Sequence, residues 1–464
     1  MFRREKQLTS EEVFRTMTVP QALRVMLVPS VLSQLIVLIY NLADTYYVGQ
    51  TNDPYMVAGV SLILPLFNVS LALGTMFGSG GGALLPKLLA LERREEASRV
   101  AAYCIRMAIG TAALFSVLML LFMQPLLTLL GAGTNTFSHS RTYVLTVLVA
   151  GGVPTILASV LSNLLRSLSL SREAGIGVAL GGALNLVLDP LFMFVLLPPG
   201  NEVLGVGIAT LLSNLISCGY CLFVFICRQR EIRACFLAPL PEREHRSAVF
   251  TVGVPGSVGA LLFDLDYMVL NRLSSGYGDT VLAAVGIVLK AERFPQQVGI
   301  GMCQGMVPLL AYSFARKDYR RAKEIMVCTL KVGLAVALVS ITLYELLPSQ
   351  IIRFFIEDAE TVFYGTNILR IRSVAAAIMF FCFFVVFVFT GFGNGRAALA
   401  LAVIRWACLN IPMLFLFNSL FGLYGLSWAQ IVADLLTVAV SYVWLFRYMK
   451  NWQRSGQPGR KEFS

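Results

Sequence analysis

Two carboxylates and two neutral oxygen donors stand out inside the apolar segments of this chain. Asp44 and Asp189 sit within long apolar runs, and Asn185 lies four residues before Asp189, so the two share one face of a helix. Thr210 adds a hydroxyl from the next run. Two carboxylates held together in a low dielectric cannot both ionise cheaply, because burial and a like neighbour each disfavour the charged form. The chemistry open to such a group is to hold a proton or a sodium ion, the latter bound through oxygens of Asp44, Asn185 and Asp189. The bland alternative is that the acids only cap or pair within the helices.

A second set of polar residues is basic in character: Lys290, Glu292, Arg293, Gln297, Arg405 and Asp434, with Asp264 and Asp266 nearby in sequence. Lys290, Arg293 and Gln297 recur at three- and four-residue steps and line one helix face. Either these charges pair with one another, or they contact substrate or act in gating. Enzyme chemistry is poorly supported. The two histidines, His139 and His245, fall in expected loops, and no nucleophile sits beside a base. Cys218 and Cys221 form a CxxC pair that no second pair completes into a metal site, so they read as packing residues.

The elements that must position these groups are membrane helices. Of 464 residues 57% are apolar or aromatic and only 14% charged, too few charges to coat water-soluble domains of this size. Twelve apolar runs are long enough to span a bilayer: 22–48, 55–82, 100–123, 141–165, 174–197, 204–227, 247–271, 280–312, 324–347, 363–391, 397–418 and 424–447. With the N-terminus inside, 30 of the 37 Lys and Arg fall on cytoplasmic flanks. Five fall on outer flanks: Arg141, Arg272, Arg353, Arg370 and Arg372. That bias predicts a multi-pass protein of the cell (inner) membrane with both termini cytoplasmic, and it accounts for the net charge of +11 without nucleic acid. The first run is too long for a cleavable signal core and reads as a signal anchor. Counting along the helices places Asp44 and Asp189 about 24–30 Å above the cytoplasmic face, with Thr210 in the same outer half.

The chain also repeats itself. A shift of about 226 residues lays Pro29 over Pro255, and Leu184-Asn185 falls near Leu409-Asn410. Six spans per half keep both halves in one orientation, so the repeat is parallel, about an axis along the membrane normal. The expected organisation is an N-terminal six-helix lobe at 1–227, a cytoplasmic linker at 228–246, a C-terminal six-helix lobe at 247–450 and a cytoplasmic tail at 451–464. Prolines within spans, Pro29 and Pro190 among them, are candidate bending points. Gly74 with Gly78, and Gly177 with Gly181, are expected to pack helices closely. The run Gly78-Ser79-Gly80-Gly81-Gly82 is not a phosphate loop, because no strand precedes it and no Lys-Ser/Thr follows.

Three strings carry a family likeness: Tyr40-Asn41-Leu42-Ala43-Asp44-Thr45-Tyr46-Tyr47-Val48-Gly49, Leu184-Asn185-Leu186-Val187-Leu188-Asp189-Pro190-Leu191-Phe192, and Gly205-Val206-Gly207-Ile208-Ala209-Thr210. With Gly301-Met302-Cys303-Gln304-Gly305-Met306-Val307-Pro308-Leu309, they resemble the multidrug and toxic compound extrusion (MATE) transporters over nearly the whole chain, and the DinF-like bacterial branch in particular. The resemblance implies an all-α integral membrane fold of twelve helices in two V-shaped lobes. It implies a secondary antiporter that exports amphipathic drugs or toxic metabolites in exchange for protons or sodium by alternating access. Asp44, Asn185, Asp189 and Thr210 would form the cation site. Tyr40, Asn41, Asp264, Asp266, Lys290, Glu292, Arg293, Gln297, Arg405 and Asp434 are candidates for substrate contact or gating. No cofactor beyond the coupling ion is expected, and the partners are small amphipathic organic molecules and the lipid bilayer around a monomer. The span from Phe363 to Gly391 carries no acid, unlike the other bacterial branch. A flippase for a lipid-linked saccharide, from the same broad superfamily, is the alternative, with an integral-membrane transferase a further one.

Overall fold

A backbone surrounded by lipid must satisfy its own hydrogen bonds, and a helix does so within one segment. The computed structural model describes residues 9–51, 53–227, 232 and 238–455. Arg3, Arg4, Lys6, Arg228, Arg230, Arg233, Arg460 and Lys461, most of the expected linker and the end of the expected tail lie outside the described residues, as does the side chain of Thr45. Among the described residues every element is helical. The N-terminal half comprises α1 (Val19–Gly49), α2 (Pro54–Ser61), α3 (Leu64–Ala90), α4 (Arg94–Leu121), α5 (Met123–Leu129), α6 (Thr134–Tyr143), α7 (Gly152–Ser167), α8 (Ser171–Leu191) and α9 (Glu202–Cys227). The C-terminal half comprises α10 (Arg243–Ser274), α11 (Asp279–Ala315), α12 (Tyr319–Leu346), α13 (Pro348–Arg353), α14 (Ala359–Ser373), α15 (Ala375–Gly391), α16 (Gly395–Val403) and α17 (Ile411–Ser455).

Among the described residues nine stretches are long and apolar enough to cross a membrane as they stand. Two more crossings are bent by 48°: Thr134–Ala150 with Gly152–Ser167, and Ala359–Ser373 with Ala375–Gly391. The last stretch, Gly395–Arg454, runs for 60 residues, about twice what one crossing needs. It breaks at Gly422, whose φ of 62° suits glycine and strains other residues. With that break the chain has the twelve spans expected. Prolines alone do not set the sharp bends: α1 continues through Pro29 and α11 through Pro295 and Pro308, although Pro154, which cannot bond the Ala150 carbonyl, follows one of the two bends. They fall at Gly151 and Val374, while Pro190 sits in the last turn of α8, just before the π-helical turns Phe192–Leu196.

Small residues set the close approaches, as anticipated. Gly74 and Gly78 of α3 lie against Ser159 and Asn163 of α7, and Gly177 and Gly181 of α8 against Cys221 and Ser217 of α9. Cys221 therefore fills space opposite a glycine, and the eight described cysteines, Cys218 included, are free thiols. Buried side chains form one apolar cluster around Phe77, Ile105, Ile156, Leu161 and Phe225, and another around Val288, Ile368, Leu369, Leu414 and Ala429.

The halves meet through two helix pairs, α1 with α11 and α3 with α10. Gln34 Nε2 donates to Gln304 Oε1 at 2.9 Å, and Ser257 Oγ donates to the Ala72 carbonyl at 2.7 Å. Gly301 and Gly305 press on the backbone at Val31 and Met26, and Gly253 on that of Met76. At the extreme, Arg316 Nη1 donates to the Ala90 carbonyl at 3.2 Å, and Lys87 lies over the Phe314 ring, 5.3 Å from its centroid. These contacts gather toward one end of the bundle, where Lys87 lies in the last turn of α3, α4 begins at Arg94 and α11 is followed by Arg316 and Lys317. The two lobes of the V are sealed together at this basic end.

Candidate functional site

α1 and α8 approach closely because α8 presents glycine at seven-residue steps. A Cβ on Gly175 would stand 3.2 Å from the Pro29 carbonyl oxygen. One on Gly182 would stand 2.7 Å from Ile36 Cγ2 and 3.0 Å from Tyr40 Cδ1. The next position in that series is Asp189, and one turn beyond Tyr40 is Asp44. The two carboxyl groups accordingly lie within hydrogen-bonding reach of each other. Asp189 is fully buried and Asp44 half-buried.

The rest of the expected site converges on the same point. Asn185 Nδ2 donates to Asp189 Oδ1 at 3.1 Å and reaches toward Thr210 Oγ1 at 3.5 Å. The phenols of Tyr40 and of Tyr143, at the end of α6, border the carboxylates. Three oxygens are buried without a hydrogen-bond donor: Asp44 Oδ1, Asn185 Oδ1 and Asp189 Oδ2. No Lys or Arg pairs with either acid among the described residues. Buried acceptors are ordinarily satisfied, so orphaned oxygens from three side chains at one place mark a gap for a proton or a hard cation.

In the C-terminal half two buried acids are paired with arginines. Arg405 donates Nε to Asp434 Oδ1 at 2.8 Å and Nη2 to Oδ2 at 3.2 Å, and its guanidinium stacks on Trp406, 4.0 Å from the ring centroid. Glu292 does not pair with Lys290 or Arg293. Its partner is Arg372, which donates Nε to Oε1 at 2.7 Å and Nη2 to Oε2 at 2.8 Å and also reaches Gln430. Arg372 therefore corrects its expected place on an outer flank. It is 3% exposed, at the bend between α14 and α15, and tolerable there because a bidentate carboxylate meets it. Asp266 is buried and accepts from Asn410 Nδ2 at 2.7 Å, with Arg372 and Arg405 close by. The half-buried Asp264 lies near Arg293, whose guanidinium sits 5.7 Å from the Tyr267 ring centroid.

One face of α11 links this half to the other. Gln304, bonded to Gln34, is followed toward the open end by Gln297 and then Lys290 at seven-residue steps, with Arg293 between them. On α1 the matching step from Gln34 leads to Asn41, which is exposed. From the Gln34–Gln304 contact outward, Asn41 and Gln297 stand about 10 Å up their helices, Asp44 and Arg293 about 15 Å, and Lys290 about 20 Å. Beyond that hydrogen bond the two faces run on along the two lobes of the V, Asp44 on one side and Lys290 on the other.

The MatE family model matches residues 29–191 and again 255–416. This chain belongs to the MatE family. The two MatE matches run from within α1 through α8 and from within α10 into α17, one in each half of the repeat. Multidrug export protein MepA of Staphylococcus aureus is 27% identical over 425 residues, covering 90% of this chain and 92% of its own. Its namesake in Staphylococcus saprophyticus is 28% identical over 426 residues, with the same coverage. Among solved structures, a multidrug resistance MATE family transporter of the MOP superfamily, in an outward-facing conformation, superposes with a TM-score of 0.91 at 20% identity, over 97% of this chain and all of that one. The MatE fold, twelve helices in two parallel six-helix repeats, is thereby established, and the chain is a multi-pass membrane transporter rather than an enzyme. Sequence reasoning missed Tyr143, Asn410, Gln430 and the deep position of Arg372. Asn410 is the repeat counterpart of Asn185, which is the signal that could have flagged it; nothing in the local sequence marks the others.

Proposed function

We propose that this MatE protein is a secondary antiporter of the cell membrane that exports amphipathic organic molecules in exchange for protons or sodium. Asp44 and Asp189 bind the coupling ion, with Asn185 and Thr210 as further oxygen ligands. The observation that carries this reading is the set of three buried, unsatisfied oxygens on Asp44, Asn185 and Asp189, with no basic partner among the described residues. The donor set is all oxygen, which suits a proton bridging the carboxylates or a sodium ion, and not a soft metal. In the C-terminal half, by contrast, Asp434 and Glu292 are held by arginines, and Asp266, bonded to Asn410, has Arg372 and Arg405 close by.

The Lys- and Arg-rich end is read as cytoplasmic, with both termini there. The cleft sealed at that end then opens outward, and Asp44 is reached from outside. Taking up a cation relieves the repulsion between Asp44 and Asp189 and lets α1 settle on α8. Because α1 also carries Gln34 of the seal, its position is felt where the lobes meet, and the coupling ion and cargo use the cleft in turn. One charge moving down a membrane potential supplies about 2.3 kcal/mol per 100 mV, or about 1.7 decades of cargo gradient. The export names of the relatives at 27–28% identity support the cargo class.

The test is dye efflux from proteoliposomes driven by an imposed proton or sodium gradient. Asp44→Asn and Asp189→Asn should abolish gradient-driven export while leaving dye binding in place. Undiminished export by Asp44→Asn under either gradient would overturn the assignment.

A further inference from the structure

Four basic residues lie deep in the C-terminal half, and the structure sorts them into two kinds. Arg372 and Arg405 are buried and engaged in bidentate pairs with Glu292 and Asp434. Lys290 is exposed, Arg293 half-buried, and neither makes an ion pair among the described residues. Asp264 feels the charge of Arg293 but forms no ion pair with it among the described residues, so this stretch of wall keeps a net positive charge.

Lipid does not solvate that charge. A Lys or Arg at mid-membrane costs about 2.5–3.5 kcal/mol on insertion scales unless it faces protein or water. Lys290 and Arg293 lie on the α11 face that continues from Gln304 and Gln297, the face turned toward α1. They therefore look across the cleft, with the Asp44 wall opposite. Arg293 is steadied from beneath by the Tyr267 ring, whose hydroxyl accepts from Gln296 Nε2 at 3.0 Å. An uncompensated pair of donors one turn apart, with aromatic and apolar neighbours such as the exposed Phe294, is built to receive an anionic oxygen group on an apolar frame.

We infer that Lys290 and Arg293 bind a carboxylate on the exported molecule, so that the cargo includes amphipaths bearing a carboxylate and not only simple cations. The inference deepens the export reading above and rests on the cleft being the cargo path. It requires nothing of the coupling ion.

The experiment is equilibrium binding to the full chain in lipid nanodiscs, without any ion gradient, followed by fluorescence polarisation. The probes are rhodamine 110, which carries a free carboxylate, and rhodamine 123, its methyl ester, a pair that differs only in the group at issue. The wild type should bind the acid more tightly than the ester. Lys290→Ala with Arg293→Ala should weaken the acid tenfold or more, leave the ester within twofold, and be largely rescued by Lys290→Arg with Arg293→Lys. Acid and ester bound alike by the wild type, or weakened alike by the double alanine variant, would overturn the inference, as would indifference of both dyes to the pair. Asp44→Asn serves as the separate arm. If it retains gradient-driven export, the coupling assignment fails, whereas the acid-over-ester preference bears only on Lys290 and Arg293.

Discussion

Arg372 grips Glu292 with both arms of its guanidinium, at 2.7 and 2.8 Å, where α14 bends into α15. Ser373 beside it donates to Glu345 Oε1 at 2.9 Å, and Gln430 Oε1 of α17 accepts from the same Nη2 of Arg372 that bonds Glu292. Three helices thus close on the bend. Removing one partner of a buried pair leaves an uncompensated charge and costs about 3–5 kcal/mol, whereas replacing both by apolar side chains is often close to neutral. Arg372→Met alone should therefore lower the thermal midpoint in detergent sharply, and Arg372→Met with Glu292→Leu should restore most of it. A double variant no more stable than the single one would show that the pair acts through the bend and not through its charge.

Asn185 and Thr210 offer a finer probe of the proposed cation site than the acids do. Asn185 is fixed by its 3.1 Å bond to Asp189, and its amide nitrogen also points at the Thr210 hydroxyl. Loss of a group that orients or completes an ion's ligand set commonly costs 10–100-fold in affinity. Thr210→Val should raise the half-saturating concentration of the coupling ion by about tenfold with the maximal export rate kept. Thr210→Ser should stay near wild type. An unchanged half-saturation in Thr210→Val would remove this residue from the site.

The difference between these two clusters explains what was legible in the sequence. Asn185 and Asp189 are four residues apart on one helix, and Asp44 is an acid with no basic neighbour in an apolar run, so helical spacing and membrane cost alone mark them. Glu292 and Arg372 are separated by 80 residues, and no periodicity connects them. Arg372 looked like an outer-flank charge because it lies near the start of its span, and the bend that buries it occurs without a proline. The approach of Asp44 to Asp189 depends on Gly175 and Gly182, two glycines that single-sequence reading cannot tell from those that merely pack α3 on α7.

Outside the membrane spans, Asp358 caps the first turn of α14. Its Oδ2 accepts from the Thr361 amide at 2.8 Å and from the Thr361 hydroxyl at 2.7 Å, and these bonds hold its carboxyl below the usual carboxylate range. A depressed acid contributes stability that is complete above its ordinary value near 3.8 and is lost as pH falls through its lower folded value. Protection of the Thr361 amide in hydrogen exchange, corrected for the intrinsic rate, should hold at pH 5 and above and drop below about pH 4. Asp358→Ala should lack that step and show weak protection throughout, while Asp358→Asn, which can still accept at the cap, should keep protection without the pH dependence.

Gly253 tests whether the seal at the basic end is a working gate. A side chain there would drive into the Met76 backbone, with Ser257 and its 2.7 Å bond to the Ala72 carbonyl one turn further along α10. The obstruction on the facing side is main chain, which cannot swing away as a side-chain tip can. Gly253→Val should therefore disfavour contact of α3 with α10 and shift the population toward the state that is open at the basic end. The seal is distributed, since Gln34–Gln304 and the glycines at 301 and 305 hold the second helix pair independently, so the fold should survive. Spin labels on the Lys- and Arg-rich ends of α3 and α10 should report a longer distance by electron paramagnetic resonance, and gradient-driven export should fall while rhodamine 110 still binds. Distances and export both matching wild type would mean that α3 and α10 do not separate during transport.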